Sequence, residues 1–122
     1  MIIATSYFGN LKNIKNPIAI CGKSPDWYAG PQYKVLAPKY SFFKDYKDGI
    51  IDEAGYTSQF YSQVLSPLKQ EDVINKLKSF YPNEEEVTLI CYEKPEDFCH
   101  RHIVADWLED AGYEVKERNK KG

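Results

Sequence analysis

The amino-acid sequence predicts an α/β fold: one domain over residues 1–122, a mainly parallel sheet and flanking helices. Three observations carry this. Residues 87–92 (VTLICY) are β-branched and almost continuously apolar, the pattern of a central strand buried on both faces. Residues 95–111 repeat Ile103, Val104, Trp107, Leu108 and Ala111 at helical spacing. Between these and the chain start, strand-like and helix-like segments alternate, and 122 residues suit a single core.

The elements follow in order. Residues 2–8 form a first strand, and 9–17 a turn or short helix closed by Pro17. Residues 18–21 (IAIC) are a short second strand that Gly22 ends. Residues 24–38 hold three prolines, Trp27 and two tyrosines, an irregular aromatic segment suited to walling a pocket. One or two helical turns follow at 40–46, then a loop at 47–52. Tyr56, Phe60, Tyr61, Val64 and Leu65 give a helix over 53–65.

Ser66-Pro67 reads as an N-cap and first helical position, with Val73, Ile74, Leu77 and Phe80 on the inner face of the next helix. Pro82-Asn83 ends it. The helix over 95–111 starts near Pro95 with Glu96 and Asp97 in its first turn, and Gly112 is placed for its C-cap. Residues 113–118 make a last short strand, and 119–122 a frayed tail.

Composition narrows the function classes. A net charge of −2 lacks the Lys and Arg excess of a general nucleic-acid coat, yet permits a local basic pocket. No apolar run approaches a membrane span, and residues 1–8 lack a basic leader. Three widely spaced cysteines argue against a disulfide framework and for a reducing cytoplasm. Ten tyrosines suit cores, interfaces and pockets alike; they permit a dimer without requiring one.

Chemistry concentrates at 91–102. Ligands of open α/β sheets bind at strand carboxyl ends, and Cys91 lies at such an end. Helical phase puts His100 in a row with Val104 and Leu108, and Cys99 with Ile103 and Trp107, so both face inward. Arg101 falls on the rim. His102 falls outside, in a row with Asp106.

Four readings compete. Cys91 is a nucleophile beside Arg101, although the spacer is longer than the Cys-loop-Arg of phosphatases and sulfurtransferases. Or Cys91, Cys99, His100 and His102 ligate zinc, with unusual spacing. Or Arg101 and Lys94 meet the phosphate of a nucleotide-like or phosphorylated ligand, while aromatic rings stack on its base. Or the cluster is structural, with buried cysteines, a satisfied histidine and Arg101 paired to Glu93. Lys39, Lys44 and Lys47, interleaved with Tyr40, Phe42, Phe43 and Tyr46, fit a basic aromatic wall or, more commonly, a solvated helix face.

Residues 91–108, CYEKPEDFCHRHIVADWL, resemble the C-terminal signature of the domain of unknown function 488 family: Cys-x-Glu ending a strand, then Cys-His-Arg opening a helix. Thr5-Ser6-Tyr7-Phe8, Pro25-x-Trp27 with Gly30, Leu36-Ala37-Pro38, Asp45-Tyr46-Lys47-x-Gly49, Tyr56 and Tyr61 extend the likeness to its short-chain branch. The resemblance implies a compact Rossmann-like sheet and marks Cys91, Glu93, Cys99, His100 and Arg101. It implies no activity. The basic stretch that longer relatives carry after their second strand is not evident here.

The expected function is binding of a nucleotide-like or phosphorylated ligand at the strand ends, with action on a nucleotide or nucleic-acid base. Cys91, Glu93 and His100 are the candidate catalytic residues. Arg101, Lys94, Cys99, Trp27, Tyr46, Tyr7 and Ser6 are the candidate ligand contacts. No cofactor is expected unless zinc sits at Cys91, Cys99 and His100. The alternatives are a protein that sequesters a small signalling nucleotide, and an interaction domain whose Cys/His cluster is only structural.

Overall fold

A computed structural model describes residues 1–119. Of the predicted frayed tail, 120–122 lie outside the described residues. Four strands, β1 (Ile2–Tyr7), β2 (Pro17–Ala19), β3 (Glu86–Cys91) and β4 (Val115–Glu117), form one sheet in the order β2-β3-β1-β4. Every pairing is parallel, and the register sets Tyr7 of β1 opposite Cys91 of β3. β1 and β3 are buried along nearly their whole length, with Thr5, Ser6 and Thr88 buried among their apolar residues. The fold is the single α/β domain with a parallel sheet that the alternation predicts, and the sheet is Rossmann-like, as the resemblance implies.

Four helices flank the sheet: α1 (Tyr40–Lys47), α2 (Glu53–Phe60), α3 (Gln70–Phe80) and α4 (His100–Asp110). α2 runs on into a π-helical turn, Tyr61–Leu65, and short 3-10 turns occupy Phe8–Asn13 and Lys34–Leu36. Alternating strand positions feed two apolar clusters. Ile18, Ile20, Val87 and Leu89 join Phe42, Phe60, Leu77, Val104 and Leu108 in the larger. Ala19, Cys21, Ile90, Cys91 and Cys99 meet Phe8 and Tyr28 in the smaller. The stripe on α4, Ile103, Val104, Trp107 and Leu108, is buried, each side chain contributing roughly 1.5–3 kcal/mol.

Two helix starts differ from the sequence reading. Ser66 caps nothing downstream: its hydroxyl bonds back to the Ser62 carbonyl, and the residue closes the π turn. α3 begins at Gln70, after Lys69. α4 begins at His100 with Cys99 as its N-cap, five residues later than Pro95 implies. Pro95 fits a turn as well as a helix start. Glu96 and Asp97 thus sit in the loop before α4, and its first turn carries no acid. Gly112 closes α4 at φ +91, a backbone region costly for any residue with a Cβ.

Candidate functional site

The loops after β2 and β3, with α1, α2 and the start of α4, enclose a cavity of about 960 Å³ at the sheet's carboxyl edge. Cys21 and Gly22 follow β2; Cys91, Tyr92 and Glu93 follow from β3. Cys91, Cys99 and His100 line it as buried groups. One wall is aromatic: Tyr40, Phe43 and Tyr46 from α1, Tyr56 from α2, and Phe98. These rings brace one another, with Tyr46 5.4 Å and Tyr56 5.2 Å from Phe98, centroid to centroid. The remaining charge is mixed: Lys23 and Lys47 against Glu53, Glu93 and Asp97.

His100 has one defined orientation. Its Nε2 lies 2.7 Å from the Ile20 carbonyl oxygen. A carbonyl only accepts, so Nε2 carries the proton and Nδ1 is the bare nitrogen. Burial pulls the imidazole down to about 4, so the ring is neutral at ordinary pH. Nδ1 lies 3.9 Å from Cys99 Sγ. A backbone carbonyl, rather than a carboxylate, thus orients the ring.

Arg101 is not on the rim. It is the largest fully buried side chain, with every arm of the guanidinium engaged. Nε and Nη2 donate to the two carboxylate oxygens of Glu117, at 3.2 and 3.0 Å. Nη1 donates to the Glu93 carbonyl at 2.6 Å and to Cys91 Sγ at 3.0 Å. This corrects the expected rim position: the guanidinium lies in the interior, among protein acceptors. The first turn of α4 points it across β1 to β4, where Glu117 waits. Glu93 contacts it through the backbone rather than through its carboxylate.

Cys91 and Cys99 are joined as a disulfide, and Cys21 is the free, buried thiol. An odd, dispersed cysteine count hid the pair, because the chain folds the end of β3 against the cap of α4. With the two sulfurs bonded to each other, they offer no thiolates to zinc, so a site at Cys91, Cys99 and His100 is not supported. His102 turns to Glu117, with Nδ1 3.8 Å from Oε1, rather than to Asp106; its Nε2 is buried without a partner among the described residues.

Other candidates separate cleanly. Tyr46, Glu93 and Cys99 line the cavity as expected. Trp27, Tyr7, Ser6 and Lys94 do not. Trp27 is 63% exposed and packs edge-on to Phe8. Ser6 is buried, its hydroxyl donating to the Arg118 carbonyl and accepting from Asn10. Tyr7 lies against Gly9 on the chain just beyond β1. Lys94 is exposed on the loop before α4. The structure adds Tyr56, Phe98, Glu53, Asp97 and Lys23. Of the basic aromatic stretch, Tyr40, Phe43, Tyr46 and Lys47 face the cavity, whereas Phe42 enters the core and Lys44 pairs with Asp48. A helical row of rings along α1 was the signal for that wall.

A strand-end Cys-x-Glu whose cysteine meets a helix-opening Cys-His-Arg is thus a physical unit, not only a sequence pattern. The family model described as the active DUF488-N3 subclade matches residues 11–112. The chain belongs to the DUF488 family. Comparison with curated proteins and with solved structures finds no match. In this DUF488 chain the signature residues divide into two jobs: Cys91, Glu93, Cys99 and His100 face the cavity, and Arg101 braces them from behind. Among the described residues, no helix is long and apolar enough to cross a membrane.

Proposed function

We infer that the cavity binds a nucleotide-like ligand base-first, with the planar heterocycle among Tyr40, Phe43, Tyr46 and Tyr56. The observation that carries this is the ring-walled space of about 960 Å³ at the strand ends, within the size of small-ligand sites. Stacking on aromatic rings contributes about 1–3 kcal/mol per base. The carboxylates of Glu53, Glu93 and Asp97 suit the amino and hydroxyl donors of a base or sugar. Lys23 and Lys47 take the role that Arg101 and Lys94 had in the sequence reading: they meet a phosphate where the ligand has one. Three carboxylates against two lysines favour a base, nucleoside or monophosphate over a polyphosphate.

Action on the base is the further part of this reading. His100 offers Nδ1 as an acid/base group in a fixed tautomer, Glu93 lines the same cavity, and the matched subclade is described as active. Cys91 serves as a nucleophile only after its bond to Cys99 is opened, so we place the working form in a reducing, cytoplasmic compartment. One observation favours the alternative of capture without turnover: the closed disulfide withholds the thiol nucleophile.

A thermal-shift series with free bases, nucleosides, nucleoside monophosphates and cyclic dinucleotides tests the binding, since a ligand of the native state raises Tm by mass action. A rise with bases or nucleosides is expected. No rise with any member of the series overturns the reading. Mass analysis of the recovered ligand then separates turnover from capture.

A further inference from the structure

Cys21, Cys91 and Cys99, all the cysteines of the chain, line the same cavity. Two are bonded to each other, and their surroundings are unequal. Cys91 Sγ accepts a hydrogen bond from Arg101 Nη1 at 3.0 Å. That guanidinium is held independently by Glu117 and by the Glu93 carbonyl, so it stays in place when the sulfur beside it changes state. A fixed cation favours negative charge on Cys91. Cys99 has no such partner. It sits at the N-cap position of α4 without a side-chain capping bond and lies 3.9 Å from His100 Nδ1, a nitrogen that accepts a proton but carries none.

The geometry points to a thiol–disulfide exchange activity, in which a low-molecular-weight thiol enters the cavity and opens the Cys91–Cys99 bond by attacking Cys99. The incoming thiolate's electron pair forms the new sulfur–sulfur bond to Cys99. The old bond breaks, and its pair leaves on Cys91, beside Arg101. A second thiolate attacks the small-molecule sulfur of the mixed disulfide, forming the small disulfide and releasing Cys99. Of the two protons the small thiols gave up, one ends on Cys99, whose S–H then faces His100 Nδ1, and one in solvent. Two small thiols are oxidised and one protein disulfide is reduced; the small disulfide drives the reverse. Because the better-stabilised thiolate leaves faster, Arg101 sets the direction of attack. This activity does not rest on base binding, since the small thiol needs only the cavity floor.

The test uses the full chain in mixtures of reduced and oxidised glutathione, quenched in acid, alkylated and mapped by peptide mass. Cys91 and Cys99 are expected to gain and lose alkylation together as the ratio changes, while Cys21 does not follow. The acid-trapped intermediate is expected to carry glutathione on Cys99. If the pair stays closed in the native protein at every ratio and opens only on denaturation, the activity is absent. Independent modification, with no linked Cys91–Cys99 peptide under oxidised glutathione, also overturns it. Glutathione found on Cys91 overturns the assigned direction.

Two variants read the inequality directly, each confirmed as folded by its melting curve. Glutathione bound to Cys91 in Cys99→Ser is expected to be released by fresh thiol about tenfold faster than from Cys99 in Cys91→Ser. Equal rates remove Arg101 from the mechanism, and the wild-type mapping stands without either variant.

Discussion

Arg101 and Glu117 meet as a forked pair, two hydrogen bonds between a guanidinium with no exposed surface and a carboxylate that is 27% exposed. The pair ties the first turn of α4 to β4, across β1, where Thr5 also donates to Glu117 at 2.6 Å. A buried guanidinium is tolerable only because Glu117, the Glu93 carbonyl and Cys91 Sγ together satisfy it. The arrangement holds the floor of the cavity from behind and turns the guanidinium towards protein acceptors.

Arg101→Met is therefore expected to destabilise the apo protein, by about 3–5 kcal/mol, because it leaves Glu117 and the Glu93 carbonyl without their partner. Glu117→Gln costs less, about 1.5–3 kcal/mol, since its carboxylate is partly solvated. Urea denaturation measures both. An Arg101→Met midpoint equal to wild type would show that the buried pair is not structural.

Acid sensitivity follows from His100. Its imidazole is lowered from 6.5 to about 4 by burial, so the unfolded chain takes up a proton that the folded chain refuses. A depressed histidine stabilises the fold in full above the unfolded value, and that stability is lost as pH falls towards the folded one. The expected loss between pH 7 and pH 5 is about 2 kcal/mol. Denaturation at the two pH values should show it in the wild type and a smaller slope in His100→Asn. Equal slopes would mean that other groups carry the acid response.

The aromatic wall can be probed where it is least structural. Phe43 is 37% exposed and Tyr40 more so, and Lys47 lies over the Phe43 ring at 5.4 Å. Phe43→Ala is expected to leave the apo Tm nearly unchanged and to weaken base or nucleoside binding about tenfold, the loss of one stack. Unchanged affinity by calorimetry would take the base away from α1.

Trp27 supplies the opposite control. Its ring sits 5.8 Å from Phe8, outside the cavity lining. Trp27→Ala should cost about 0.5–1.5 kcal/mol of stability and leave ligand-induced stabilisation intact. A loss of binding would relocate the site to the other side of the β2 loop.

Much of this was legible in the residues. The run at 87–91 has one good solution, a central parallel strand, because only burial on both faces accommodates so many apolar side chains in succession; Tyr92, read as its last residue, lies beyond β3 and is half exposed. The stripe from Ile103 to Leu108 marked the buried face of α4, and its phase turned His100 inward; Cys99 is buried too, but on extended backbone at the N-cap, outside the helical phase. The carboxyl-end location of the cavity followed from the parallel sheet. Helix starts were less legible: Pro95 and Ser66-Pro67 are compatible with turns and with caps, and the choice depends on what the preceding loop packs against.

By itself the sequence determined the layers, the inward face of α4 and the neighbourhood of the site, because these depend on periodicity along a single segment. The tertiary structure decided what happens at 91–102. Arg101 passed from rim to interior because β4, distant in the chain, brings Glu117 within hydrogen-bond reach. Cys91 met Cys99 because the loop from 92 to 98 folds back on the strand end, and His100 found the Ile20 carbonyl across the sheet. Charge pairing and sulfur contacts require atoms from separate segments within a few ångströms. No spacing within one segment encodes that distance.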